Sequence, residues 1–167
     1  MRPLLRDALA IREKALGPEH PATAESLNSL ADLLPNQGDF TGARPLYERA
    51  LAVREKVLGP EHPDTAWSLD NLGQLLHSQG DHTGARPLLE RALAIREKVL
   101  GPEHPHTATS LNNLALLLHD QGDLARARPL LQRAVAVHEK MSGPDHPDTA
   151  TTMSNLARLL SVRPKTF

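Results

Sequence analysis

Residues 59–100 read GPEHPDTAWSLDNLGQLLHSQGDHTGARPLLERALAIREKVL. Within this stretch Leu69, Leu72 and Leu76 recur at i, i+3 and i+7 with Gly73 beside them, which draws an apolar stripe down one face of a helix. Pro63 suits the first helical position, where φ is pre-set and no amide bond is lost. Asp64 adds negative charge to the first turn, and Gly80 is a natural left-handed terminator. These marks predict a helix A over about 63–78. Asp81 then caps a second helix, B. Its apolar face is Ala85, Leu88, Leu89, Ala92, Leu93, Ile95 and Val99, and Gly101-Pro102 stops it. Period-2 alternation is missing, and Ala, Leu, Glu and Arg dominate, so strands are excluded. The unit is an αα-hairpin, which cannot bury both of its faces alone but can do so in a stack of copies.

The copies are present. Gly-Pro-Glu-His-Pro begins at Gly17, Gly59 and Gly101 and returns as Gly-Pro-Asp-His-Pro at Gly143, every spacing being 42 in a chain of 167 residues. The expected fold is all-α, with about eight helices in a single array. Residues 1–16 supply helix B of a partial copy, from about residue 3. Three periods follow at 17–58, 59–100 and 101–142, with A/B hairpins at about 21–58, 63–100 and 105–142. Helix A of a partial last copy spans 147–162, and 163–167 form a tail. Pro3, Pro45, Pro87 and Pro129 sit inside helix B, where an interior proline costs about 3 kcal/mol in a regular helix. Recurrence in every copy predicts local distortion there, without termination.

Composition removes several function classes. With 40% apolar residues, 23% charged residues and no long apolar run, the chain is expected to fold without a membrane span. Its first residues, Met1-Arg2-Pro3-Leu4-Leu5-Arg6-Asp7, show no signal-peptide core, so a cytoplasmic location is expected. Absence of cysteine excludes disulfides, thiolate nucleophiles and cysteine-based zinc sites. A net charge of −1 with interspersed signs argues against a nucleic-acid partner. The glycines punctuate loops and form no phosphate cradle. His138-Glu139 and the Glu-Lys pairs read as a solvated helix B face. No enzymatic activity, cofactor or metal is therefore expected. His20, His62, His104 and His146 each precede the proline that opens helix A. Copies one repeat apart are separated by two helix layers of about 8–10 Å each, too far to share an ion. Each imidazole is expected instead to order its loop or to accept a first-turn amide, which requires a neutral ring.

Leu69, Leu72, Gly73, Leu76, Ala85, Leu89 and Ala92 match the spacing of the tetratricopeptide repeat, in which small residues let helices A and B approach closely. The positions recur as Leu27, Leu30, Ala31, Leu34, Ala43, Tyr47 and Ala50, and as Leu111, Leu114, Ala115, Leu118, Ala127, Leu131 and Ala134. The HPxTAxSLxNLA-like helix A and the ALAIREKVLG end of helix B further resemble the kinesin-light-chain class of these repeats. The resemblance implies a right-handed superhelical solenoid that serves as a non-enzymatic protein-interaction scaffold. Its concave surface, lined by helix A, would bind an extended peptide segment.

Projecting the helix A positions left over from the core gives the groove. One column is Ser29, Asn71, Asn113 and Asn155; its neighbour is Asn28, Asp70, Asn112 and Ser154; beyond lie Asp32, Gln74, Leu116 and Arg158, then His77 and His119. Asparagine offers a donor and an acceptor to an extended backbone, although the same amides can instead join helices to one another. Trp67 departs from its equivalents Glu25, Thr109 and Thr151, as an interface anchor or as a filler lying flat over its own repeat. The expected peptide-binding set is Asn28, Trp67, Asp70, Asn71, Gln74, His77, Asn112, Asn113, His119 and Asn155. The basic groove residues that the family resemblance would bring are missing. Arg158 stands alone in these columns against Glu25, Asp32, Asp70 and Asp120, which favours a neutral to mildly basic segment as partner.

The terminal helices lack their within-repeat partners. The last carries Met153, Leu156, Ala157, Leu159 and Leu160, and the first carries Leu5, Ala8, Leu9 and Ile11. Two expectations follow: the neighbours of a longer array cover these faces, or copies of the chain associate head to tail through a heterologous contact.

Overall fold

Each helix A opens on a histidine-proline pair. His20, His62 and His104 hold the N-cap position with φ between −75 and −81° and ψ near 140°, followed by proline in the first turn. Their Nδ1 atoms accept the amide N–H of Ala22, Asp64 and His106 at 3.1 Å, and His146 accepts that of Asp148 at 3.2 Å. The imidazole thus does what serine or asparagine usually does at a helix start, as a neutral acceptor. Helix B begins on an aspartate. Asp39 and Asp81 accept from Gly42 and Gly84 at 2.9 Å, and Asp123 accepts from Arg126 at 3.2 Å. Between the two helices Gly80, with φ at +80°, turns the chain through the left-handed region that a side chain would strain.

The computed structural model describes residues 2–35 and 39–161. Among them lie eight helices and no strand: α1 (Arg2–Leu16), α2 (Pro21–Leu33), α3 (Phe40–Val57), α4 (Pro63–Ser78), α5 (His82–Val99), α6 (Pro105–Asp120), α7 (Leu124–Ser142) and α8 (Pro147–Ser161). Even numbers are helices A and odd numbers helices B. The residue expected to end the last helix, at 162, and the expected tail at 163–167 lie outside the described residues. Helices α3, α5 and α7 run through Pro45, Pro87 and Pro129 without a break. Each proline is on the outer side or close to it, and Thr41, Thr83 and Ala125, four residues earlier, are exposed. The carbonyl that loses its amide partner therefore faces water, which limits the cost.

The chain forms two compact units, residues 1–92 and 93–167, divided inside α5. In the first, Ala24, Leu27, Ala50 and Val53 close a core, with Leu9 and Leu46 packed against it. At Gly73 an added Cβ would stand 2.8 Å from the Leu89 side chain, so the leucine of helix B fills the space that a side chain on helix A would need. In the second unit Leu111, Leu114, Ala115, Leu117 and Leu118 of α6 are buried, as are Ala127, Leu131 and Ala134 of α7. Val99, expected on the apolar face, is exposed, as is Val57 at the matching point of α3. Both follow the last core position of their helix, one turn too late to meet a partner.

Helices α1 and α8 expose apolar positions that the other helices bury. Ile11 of α1 is 66% exposed, although Val53, Ile95 and Val137 at the same repeat position are buried. On α8 Met153 is 45% and Leu160 50% exposed, against buried leucines at the equivalent sites of α2, α4 and α6. Leu159, by contrast, is buried.

Candidate functional site

Polar contacts that join one copy to the next follow the same period as the core. Near the end of helix B an arginine reaches the first turns of the following helix A. Arg12 donates to the Ala22 carbonyl at 2.9 Å and the Ser26 hydroxyl at 2.8 Å; Arg54 to Asp64 O at 3.2 Å and Ser68 Oγ at 2.8 Å; Arg96 to His106 O at 2.9 Å and Ser110 Oγ at 2.8 Å. The last copy places His138 there, buried, with Nδ1 3.1 Å from Thr152 Oγ1 and Nε2 3.4 Å from Pro105 O. This corrects the expectation of a solvated face around His138. A threonine in each helix A, such as Thr65, donates to the carbonyl of the loop glycine six residues earlier, here Gly59 at 2.8 Å.

Against this frame the expected contact residues separate into two kinds. In the first unit Asn28 is fully buried, and its Nδ2 donates to Ser68 Oγ at 3.1 Å. Asp70 is buried as well. Neither side chain reaches the open surface in this conformation, although the columns had assigned both to the groove. Trp67 is half-buried, with the Arg54 guanidinium 4.7 Å from its ring centroid, a cation–π contact that agrees with the filler alternative. Burial lowers the Arg54 pKa, opposed by the nearby carboxylates of Asp64, Glu25 and Asp32. His77 meets His82 edge to face at 5.4 Å. Asn71 and Gln74 remain accessible. In the second unit Asn113 is buried, and its Nδ2 has no hydrogen-bond partner among the described residues. Asn155 Nδ2 donates to Asn112 Oδ1 at 2.9 Å, tying α8 to α6. His119 Nδ1 lies 2.9 Å from an Asp120 carboxylate oxygen.

Asn71 and Gln74 open onto a cleft of about 220 Å³ in the first unit, lined also by Asp32, Pro35, Phe40, Tyr47, Leu75 and Ser78. The Tyr47 hydroxyl donates to the Asp32 carboxylate at 2.5 Å. Crowding around Asp32 raises its pKa above the ordinary carboxylate value, while the Tyr47 hydrogen bond and the Arg54 charge pull it down. Burial and the adjacent carboxylate push the Tyr47 hydroxyl well above its usual range, so it stays a donor. Phe40 and Tyr47 were missed in the sequence because Tyr47 occupies a core position of the repeat and Phe40 a helix start. The available signal was their aromaticity in a chain with four aromatic residues, which had singled out Trp67 alone.

A tetratricopeptide repeat model matches residues 30–98, 74–140 and 111–161, and a second tetratricopeptide repeat model matches residues 2–22. No curated protein matches the chain. Among solved structures, a kinesin-light-chain candidate of Podosopora anserina with nearly identical TPR-like repeats aligns in two forms, one carrying a single substitution. The TM-scores are 0.76 and 0.78 at 32% identity, covering 95% of this chain and 75% and 74% of the other. BtubC (BKLC) from P. vanneervenii aligns with a TM-score of 0.74 at 27% identity, covering 93% of this chain and 61% of that one. The order of paired helices, the small-residue contacts and these matches agree: the chain belongs to the tetratricopeptide repeat family, in its kinesin-light-chain-like class.

Proposed function

We propose that the chain is a cytoplasmic, non-catalytic scaffold that holds an extended protein segment along the helix A surface of residues 1–92. Asn71 and Gln74 hydrogen-bond the segment's backbone there. Tetratricopeptide repeats generally mediate protein–protein interaction. The observation that carries the finer reading is the cleft, onto which these two amides open while Asn28 and Asp70 are buried. Asn112, Asn155 and His119 offer corresponding polar groups in residues 93–167, where the bond from Asn155 to Asn112 must open to admit a ligand. No described helix is long and apolar enough to cross a membrane. The test is calorimetric titration with extended peptides of neutral and mildly basic composition. Asn71→Ala should weaken binding about tenfold through one lost bidentate amide contact, with the thermal midpoint unchanged because Asn71 lies outside the core. Undiminished affinity overturns the reading.

The exposed Ile11, Met153 and Leu160 favour a second reading, head-to-tail association of copies. A molar mass that rises with concentration in light scattering supports it, and a constant monomer mass overturns it.

A further inference from the structure

In an array of near-identical copies, positions that break the repeat mark a demand other than stacking. The first complete hairpin breaks it at four points that share one place. Asp32 stands where later copies have Gln74, Leu116 and Arg158; Pro35 where they have His77 and His119; Phe40 where they have His82 and Leu124; Tyr47 where they have Leu89 and Leu131. All four line the cleft beside α4. Two of the chain's four aromatic residues are in its wall.

The chemistry of the lining is specific. Asp32 is its only carboxylate, and no lysine, arginine or histidine is among the lining residues. The Arg54 charge reaches Asp32, but its guanidinium is committed to Asp64 O and Ser68 Oγ. Asp32 is an exposed carboxylate oriented by the Tyr47 hydroxyl, and a cation brought beside it in the cleft would meet an opposite charge. At about 220 Å³ the cleft is smaller than the ~300 Å³ at which small-molecule sites begin, and it suits one long side chain. Phe40, half-buried, and Tyr47, buried, make this wall of the cleft aromatic, a kind of surface on which a planar cation stacks. Asn71 and Gln74 offer amide carbonyls to its remaining N–H groups. A planar guanidinium can stack flat on the wall while its five N–H groups reach Asp32 and the amide carbonyls together, whereas a compact, strongly hydrated ammonium matches that arrangement less well.

We propose that this cleft receives one arginine side chain of the bound segment, its guanidinium paired with Asp32 and stacked on the aromatic wall of Phe40 and Tyr47. The proposal rests on the helix A surface being the peptide-binding face and adds the residue that is recognised there.

The probes are a capped seven-residue Ser/Ala peptide with a central arginine and its twin with citrulline, the uncharged isostere. Binding is followed by NMR at the Tyr47 ring and at the side-chain amides of Asn71 and Gln74. The arginine peptide should bind at least about tenfold more tightly than its twin. Asp32→Asn keeps an acceptor for the Tyr47 hydroxyl and should bring the two within about twofold. Tyr47→Leu restores the residue of the later copies, so it should fold and still lose most of the arginine preference. Equal affinity of the twins, with shifts at Asn71 and Gln74, overturns the arginine pocket and leaves the peptide-binding reading standing. An arginine preference that survives Asp32→Asn also overturns it, by locating the preference elsewhere. Absence of shifts on helix A with either peptide overturns both.

Discussion

His138 stands at the point where the contact between copies changes its chemistry. Arg12, Arg54 and Arg96 each give one guanidinium nitrogen to a carbonyl and a serine hydroxyl of the next helix A. His138 reaches Thr152 Oγ1 instead, and its other nitrogen turns to Pro105 O. Restoring the arginine should therefore tie α8 more firmly. His138→Arg is expected to add about 1 kcal/mol, because charge-assisted bonds to the Asp148 carbonyl and the Thr152 hydroxyl outweigh the cost of burying the cation. Slower amide exchange in the first two turns of α8 and a higher thermal midpoint would show it; a lower midpoint would refute it. That clamp was not legible in the sequence. An arginine followed by Glu-Lys near a helix end looks like any solvated charge pattern, and only the neighbouring helix reveals that Arg54 is buried while Lys56 is exposed. Trp67 was legible as an exception to the repeat, but the Arg54 guanidinium lying over its ring was not.

Helix starts, in contrast, were legible because their chemistry is local. The proline, the aspartate and the glycine that bound each helix act within one turn of themselves. The histidine caps extend this to a measurable consequence. An imidazole that accepts an amide at Nδ1 does the work of a capping serine or asparagine, so replacing it by alanine leaves that amide without its side-chain acceptor. The four caps are not equivalent. His62 and His146 have Asp64 and Asp148 carboxylates within 3.8 and 3.7 Å, which put a second acceptor at the same helix start. His20 and His104 are followed by proline and then by Ala22 and His106. At constant pH, alanine in place of each histidine should therefore quicken exchange of the capped amide more at Ala22 and His106 than at Asp64 and Asp148. Uniform quickening would contradict the role of the aspartates, and no change at any of the four would contradict the caps. The candidate cleft was less legible than the helices because α2, α3 and α4 each give it a part. Its columns on helix A follow from the 3.6-residue period. Which members of a column sink between helices, as Asn28 and Asp70 do, depends on how closely the next helix approaches.

At the scale of the molecule, exposure of the outermost helices is a property of the repeat more than of any residue. A tetratricopeptide helix A is built to be covered by its helix B, and α8 shows the uncovered state. Ala150, Met153, Ala157 and Leu160 are exposed, while Ala108, Leu111, Ala115 and Leu118, one period earlier, are buried. Helix α1 is a helix B whose inward Ile11 is uncovered in turn. A helix B of a second copy has the side chains that α8 lacks, at the spacing that α7 uses against α6. Such a contact is heterologous, so it propagates from copy to copy unless it closes. Binding of folded ends by folded ends stabilises the native state by mass action, and the thermal midpoint should then rise with protein concentration. Leu160→Glu places a charge on a site that is already exposed, so the isolated chain should keep its midpoint at low concentration, with a change within about 0.5 kcal/mol. At high concentration the same substitution should remove the rise, because an unpaired carboxylate would have to be buried in the contact. A wild-type midpoint that stays flat across a hundredfold concentration range would mean that the two faces do not meet between copies, and that something other than a second copy covers them.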